Sequence, residues 1–156
     1  MQIVLAAVLS FVLALPQAGV FVPGKSLGGV RLGATEAQVR AAWGPHVGVC
    51  RKCRHRTLYF TYGKFNQVGT GAEFQRGRAV ALYTLWVPTG WRTDKGVRLG
   101  DTPLSVNGVY GTMPRFECGH YSALVQRRGR VTSVFSFKDD LLWAFSLQRS
   151  SEPVCR

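Results

Sequence analysis

The sequence predicts an α+β fold in which two tandem modules, each one helix plus three strands, form one antiparallel sheet with the helices on one face. Three observations carry this. A sixteen-residue phrase that begins Gly29-Val30-Arg31-Leu32-Gly33-Ala34-Thr35 and closes on Trp43-Gly44 returns 67 residues later as Gly96-Val97-Arg98-Leu99-Gly100-Asp101-Thr102, closing on Tyr110-Gly111. After each copy the apolar period changes from about 3.6 to 2. No Pro/Ser-rich or low-complexity tract separates the halves, so two units of this kind are expected to join their sheets around one core.

Residues 3–15 are apolar apart from Ser10, and Pro16-Gln17-Ala18 supplies a break and a small residue. This is the plan of a secretory signal peptide over residues 1–18, which places the chain outside the cell or in the cell envelope. The alternative is a retained membrane anchor, since a spanning helix needs roughly 20 apolar residues. The first module then covers residues 19–92 and the second 93–156.

Each repeated phrase reads as a punctuated helix. Thr35-Glu36-Ala37-Gln38 is a capping box, in which the threonine oxygen and the glutamine side chain each serve a backbone amide that the helix leaves without a partner. In the second copy Pro103 follows Thr102 at the first helical position, where its missing N–H costs nothing. Val39, Ala42 and Trp43 share one side, as do Val106, Val109 and Tyr110, and Gly44 and Gly111 suit the left-handed stop.

Cys50, Cys53, Cys118 and Cys155 are an even set in an exported chain, which favours two disulfides. If each half closes on itself, the pairs are Cys50 with Cys53 and Cys118 with Cys155. The Cys50-Arg51-Lys52-Cys53 spacing also allows redox chemistry, but it follows a helix and precedes a strand, the reverse of a thioredoxin-like setting. A zinc site would need a second close pair, so no metal and no cofactor are expected.

Three strands follow the first helix, at residues 57–62, 72–75 and 79–86, and three the second, at 121–126, 131–137 and 141–148. Alternation directs Leu58, Phe60, Tyr62, Phe74, Tyr83 and Leu85 to the helices, with Phe135, Phe137, Trp143, Phe145 and Leu147 in the second half. The open face then carries Tyr59, Thr61, Glu73, Gln75, Leu82 and Trp86 as candidate protein-binding residues, beside Thr57, Thr84, Thr132, Ser136, Ser146 and Gln148. A solvated sheet face would read the same way, because threonine suits strands.

The phrase Gly-Val-Arg-Leu-Gly-x-Thr-x-x-x-Val, closed by an aromatic-Gly pair and followed by a three-strand meander, resembles the module shared by the beta-lactamase inhibitory proteins and the SmpA/OmlA outer-membrane lipoproteins. The resemblance covers nearly all of the chain after residue 18. Tandem duplication, export and disulfides favour the inhibitory-protein side. It implies a protein-binding or inhibitor-like role through the concave, open face of the sheet, with aromatic and hydroxyl residues meeting the target and a loop inserted into its active site.

Charge supports a second reading. Twenty Lys and Arg against eight Asp and Glu leave +12, clustered at Arg51, Lys52, Arg54 and Arg56, at Arg76 and Arg78, and at Arg127, Arg128 and Arg130. Such clusters attract polyanions by counterion release and long-range attraction, and they also keep a secreted protein soluble. The expected partner is an extracellular protein or an anionic envelope polymer, with no sequence-specific nucleic acid, and the chain is expected to be a monomer. Catalysis is not expected: His46, His55 and His120 fall in loops, no serine sits in a nucleophile elbow, and Asp139-Asp140 occupies a hairpin turn.

Overall fold

In each half, the repeated phrase makes a tight turn whose glycines lie in the left-handed region, with φ of 80° and 83° at Gly29 and Gly33 and of 88° and 95° at Gly96 and Gly100. The turn sends Val30 and Val97 into the core. It leads into α1 (Glu36–Trp43) in the first half and α2 (Pro103–Tyr110) in the second. Thr35 and Gln38 form the expected capping box, and Thr102 caps α2 by accepting from the Ser105 amide at 3.3 Å. Both helices end at a glycine, Gly44 and Gly111. The computed structural model describes residues 19–46, 48–60, 69–85 and 90–156, so the proposed signal segment lies outside the described residues.

The strands are β1 (Val20–Val22), β2 (Ser26–Leu27), β3 (Gly48–Cys50), β4 (Arg56–Tyr59), β5 (Thr70–Gln75), β6 (Arg78–Leu85), β7 (Arg92–Thr93), β8 (Arg115–Glu117), β9 (Ser122–Arg128), β10 (Val131–Lys138) and β11 (Leu141–Arg149). Eight of them form one antiparallel sheet in the order β3-β4-β5-β6-β11-β10-β9-β8, and β2-β1-β7 form a second, three-stranded sheet. The first half supplies one side of the large sheet and the second half the other, joined where β6 pairs with β11. The small sheet shares the helix side, since Phe21 of β1 packs on Phe135 and Phe145 with ring centroids 5.5 and 5.2 Å away. Burying each of these rings contributes roughly 1.5–3 kcal/mol.

This corrects the expected α+β pair of helix-plus-three-strand modules. The described residues are mostly β, 46% strand against 13% helix. Each half brings four strands to the sheet, each helix has only eight residues, and β1, β2 and β7 add a layer that the pattern did not reveal. The additional strands are two or three residues long. That is too short to show a period of 2, and their ladder partners stand elsewhere in the chain.

The faces of two strand segments also need correction. Leu82 and Thr84 point into the core with no exposure, opposite Leu147 and Phe145 of β11, while Tyr83 and Leu85 stand opposite Ser146 and Ala144 on the open face. A bulge is responsible. Phe74 pairs with Ala79 but Glu73 pairs with Ala81, so Val80 is an extra residue and the alternation beyond it is inverted. In β11, Phe137 pairs with Leu142 and Ser136 with Ala144. Trp143 is the extra residue there, and it reaches the open face while Leu142 takes the core position.

The carboxyl-terminal residues lie back across the open face. The Gln148 side-chain amide donates to the carbonyls of Glu152 and Pro153 at 3.2 and 2.9 Å, and the Arg156 amide donates to the Tyr121 hydroxyl at 2.9 Å. Val154 and Cys118 pack over a small cluster of Ala123, Val125 and Val134. Cys118 pairs with Cys155 and Cys50 with Cys53, with Cα–Cα distances of 5.2 and 5.6 Å.

Removing the Cys118–Cys155 bridge by double substitution with alanine should cost about 4 kcal/mol by loop-closure entropy, against about 2 kcal/mol for the short Cys50–Cys53 loop. Denaturant midpoints of the two double variants check the order; a larger loss from the Cys50–Cys53 pair would contradict it.

Candidate functional site

The open face carries a recess of about 330 Å³ whose floor is the sheet around Val134, Ser136, Ala144 and Gln148. Its walls are Tyr59 from β4, Tyr83 and Leu85 from β6, Trp143 from the β11 bulge, Tyr121, and the returning tail at Val154 and Arg156. Tyr121 and Trp143 meet edge to face with centroids 6.1 Å apart. Glycine at position 71 makes room for the Tyr83 ring, because a Cβ there would overlap the end of the phenol. Among the described residues, Trp143 Nε1 is a buried donor without a partner.

Polar groups hold the recess together at its rim. Arg156 pairs with Glu73, and Glu152, whose side chain is 6% exposed, receives Arg54 at 3.8 Å, His55 Nε2 at 3.0 Å and Arg156 at 3.7 Å. Glu152 is therefore a buried carboxylate paired with two arginines and hydrogen-bonded to His55, the condition under which such a charge is tolerated. It ties the loop that follows the Cys50–Cys53 bridge to the tail. The expected loop histidine at position 55 is thus a partner of that carboxylate.

Of the open-face candidates from the sequence, Tyr59 and Glu73 line the recess, and Gln75 is exposed nearer the β5–β6 turn. Leu82 belongs to the core. Thr61 and Trp86 lie outside the described residues. Alternation missed Tyr83, Leu85 and Trp143. The signal that finds them is the repeat itself read from the turn: Ala79 and Leu142, 63 residues apart, both hydrogen-bond the turn that precedes a helix. Carried forward, that offset pairs Leu82 with Phe145 and places Tyr83 beside Ser146 on the open face.

The candidate polyanion residues fall at one end of the large sheet. Arg56 begins β4 and pairs with Glu36, Arg78 begins β6, and Arg127, Arg128 and Arg130 surround the β9–β10 turn. Arg51, Lys52, Arg54 and Arg76 are exposed beside them. The Arg127 guanidinium lies 6.0 Å above the Phe116 ring.

No family model matches the sequence, and a search of curated proteins finds no match. The fold itself has a solved counterpart. A DUF4309 family protein, YjgB from Bacillus subtilis subsp. subtilis str. 168, is similar with a TM-score of 0.53 and 18% identity, over 75% of this chain and 79% of that one. At that identity the likeness concerns the fold alone. Among the described residues no three His, Cys, Asp or Glu side chains gather as a metal site, and no helix is long and apolar enough to cross a membrane.

Burial pushes the Tyr83 phenol well above its ordinary range, with Tyr59 and Glu73 adding to the effect and Arg156 partly offsetting it. On the helix side, burial pushes Tyr110 up to about 12, and Asp94, which accepts its hydroxyl at 3.2 Å, adds to the rise. Both groups stay protonated in the folded chain at pH values where the unfolded chain has begun to ionise. Their contribution to stability is therefore fully present below pH 10, the ordinary tyrosine value, and is lost as pH rises towards 12. Phenolate absorbance against pH should show a component that ionises well above pH 10, and Tyr83→Phe should remove part of it; complete ionisation near pH 10 with the fold intact would contradict this.

Gly71→Ala should cost about 1–3 kcal/mol, the usual range for over-packing, and should shift the Tyr83 titration towards that of a free phenol. Thermal unfolding together with the same absorbance titration checks both effects.

Proposed function

We propose that this chain is an exported, non-enzymatic binding protein that engages another protein through the open face of its large sheet, seating one large side chain of that partner in the aromatic recess. The observation that carries the reading is the recess itself: three tyrosines, a tryptophan and the aliphatic residues Leu85, Val134 and Val154 converge on a face that the helices do not cover. Tyr and Trp are the residue types that dominate binding energy when clustered at the centre of an interface. A volume of 330 Å³ is at the bottom of the range for small-molecule sites, and it suits one anchoring side chain better than a cofactor.

Several features support the reading. The face is broad, with eight strands behind it, so contacts can extend beyond the anchor. Disulfides on both sides of the recess hold the tail and the Arg54–His55 loop in place before binding, which lowers the ordering cost of association. The apolar run over residues 3–15 supports export. Similarity of the repeated phrase to the beta-lactamase inhibitory proteins supports an inhibitor-like role.

The test uses the intact chain as bait in the culture medium of its own host, followed by titration of the partner recovered. Trp143→Ala and Tyr59→Ala should each weaken that complex at least tenfold, about 1.4 kcal/mol or more. Leu104→Ala, on α2 and 81% exposed, should leave it unchanged because α2 lies on the far side of the sheet. A partner bound equally well by all three variants would place the interface elsewhere.

A further inference from the structure

The duplicated halves carry opposite charge at equivalent turns, and the fold sorts those charges to opposite ends of the sheet. The β5–β6 turn of the first half is Arg76-Gly77, and its counterpart between β10 and β11 is Asp139-Asp140. The link from β3 to β4 holds Arg51, Lys52 and Arg54 and leads into Arg56 at the start of β4, whereas the link from β8 to β9 follows Glu117 and contains His120. Because β6 and β11 run antiparallel, equivalent turns lie at opposite ends. The β9–β10 turn, with Arg127, Arg128 and Arg130, therefore joins the arginines of the first half.

The registers make this one continuous edge. Arg56 stands opposite Phe74, Gln75 opposite Arg78, Ala81 opposite Gln148, and Val131 opposite both Arg149 and Arg128. From β4 to β9 the basic row crosses five strand intervals, about 24 Å at the usual spacing. Carboxylates near this end are already neutralised. Glu36 is held by Arg40 and Arg56, Glu73 by Arg156, and Glu152 by Arg54, His55 and Arg156. Glu117, Asp101, Asp139 and Asp140 lie at the other end, where Arg115 pairs with Glu117 and Asp140 at 3.1 Å.

We infer that this edge is a second binding site, separate from the recess, for a linear phosphodiester polymer. Nine of its ten basic side chains are arginines, and a guanidinium fork can take two oxygens of one phosphate. A row of separated clusters matches a chain of repeating charges better than a single anion, and release of the polymer's condensed counterions drives binding. The chemistry is shared by nucleic acid strands and by polyol-phosphate polymers of a cell wall.

The experiment titrates the full chain with a fluorescent oligothymidylate, with a glycerol-phosphate polymer, with anionic phospholipid vesicles and with polyglutamate, each over a salt series. Both phosphodiester polymers should bind with affinity that falls steeply with salt. Arg76→Glu combined with Arg128→Glu should weaken that binding at least about tenfold and flatten the salt slope. Arg98→Glu combined with Lys138→Glu makes the same change of net charge away from the edge and should alter it by less than about twofold. Tighter binding of one polymer than the other identifies the source, and Trp143→Ala should leave both unchanged, which separates this site from the recess. Equal losses from the two charge-reversed variants would show that net charge alone attracts polymer. Vesicles or polyglutamate binding as tightly as the phosphodiesters, or no binding of either phosphodiester, would overturn the assignment.

Discussion

Two pairs of backbone hydrogen bonds hold the architecture in register. The Gly33 amide donates to the Ala79 carbonyl and the Ala79 amide to the Ala34 carbonyl, both at 2.8 Å; in the second half the Gly100 amide donates to Leu142 at 2.7 Å and the Leu142 amide to Asp101 at 2.8 Å. Each pair fastens the turn before a helix to the first core residue of the half's last strand. The clasp stands immediately before the bulged residue, Val80 in one half and Trp143 in the other. A strand held at that point must absorb its extra residue just beyond it, and this sets which side chains face the helices for the rest of its length.

The clasp explains why the repeated phrase tolerates so little variation within the chain. Its glycines adopt φ values that other residues occupy only with strain, its valines enter the core, and its carbonyls and amides are committed to another strand. None of these tasks involves a ligand. The Arg31 and Arg98 positions are exposed and stand outside the recess. The strongest sequence signal is consequently a folding signal, and the chemistry available for binding resides where the two halves diverge: the Trp143 bulge of the second half, and arginine turns at Arg76 and Arg78 in the first half and at Arg127 to Arg130 in the second.

How much of this was legible from the residues follows from the range of the interactions. Both helices could be placed to within a residue because capping is decided within one turn, by Thr35 with Gln38 and by Thr102 with Pro103. The self-contained cysteine pairs could be chosen because the repeat located Cys50 and Cys118 after equivalent helices. The long strands showed their period, but their faces depended on a single residue. Aligning the halves by Tyr83 with Phe145 gives an offset of 62, whereas the clasp makes it 63, and that one step moves Leu82 from the open face to the core and Tyr83 the other way. Strands of two or three residues had no pattern to read, so the four-strand contribution of each half and the three-stranded layer emerged only from pairings between distant segments.

The recess exists because two departures from regularity coincide. On an unbulged β11, Trp143 would face the helices with Phe145, and the open face would present Leu142, Ala144 and Ser146 with no aromatic side chain there. On a chain that ended at β11, the face between Tyr121 and Tyr59 would be a flat, solvated sheet with no wall. The bulge supplies an aromatic side and the tail supplies the opposing one, held by Cys155, by the Gln148 amide and by the buried Glu152. A single buried carboxylate gripped by Arg54, His55 and Arg156 therefore does more than anchor a terminus: it couples the basic edge to the wall of the recess. Arg54 belongs both to the basic edge and to the partners of Glu152, so the two surfaces meet at that carboxylate.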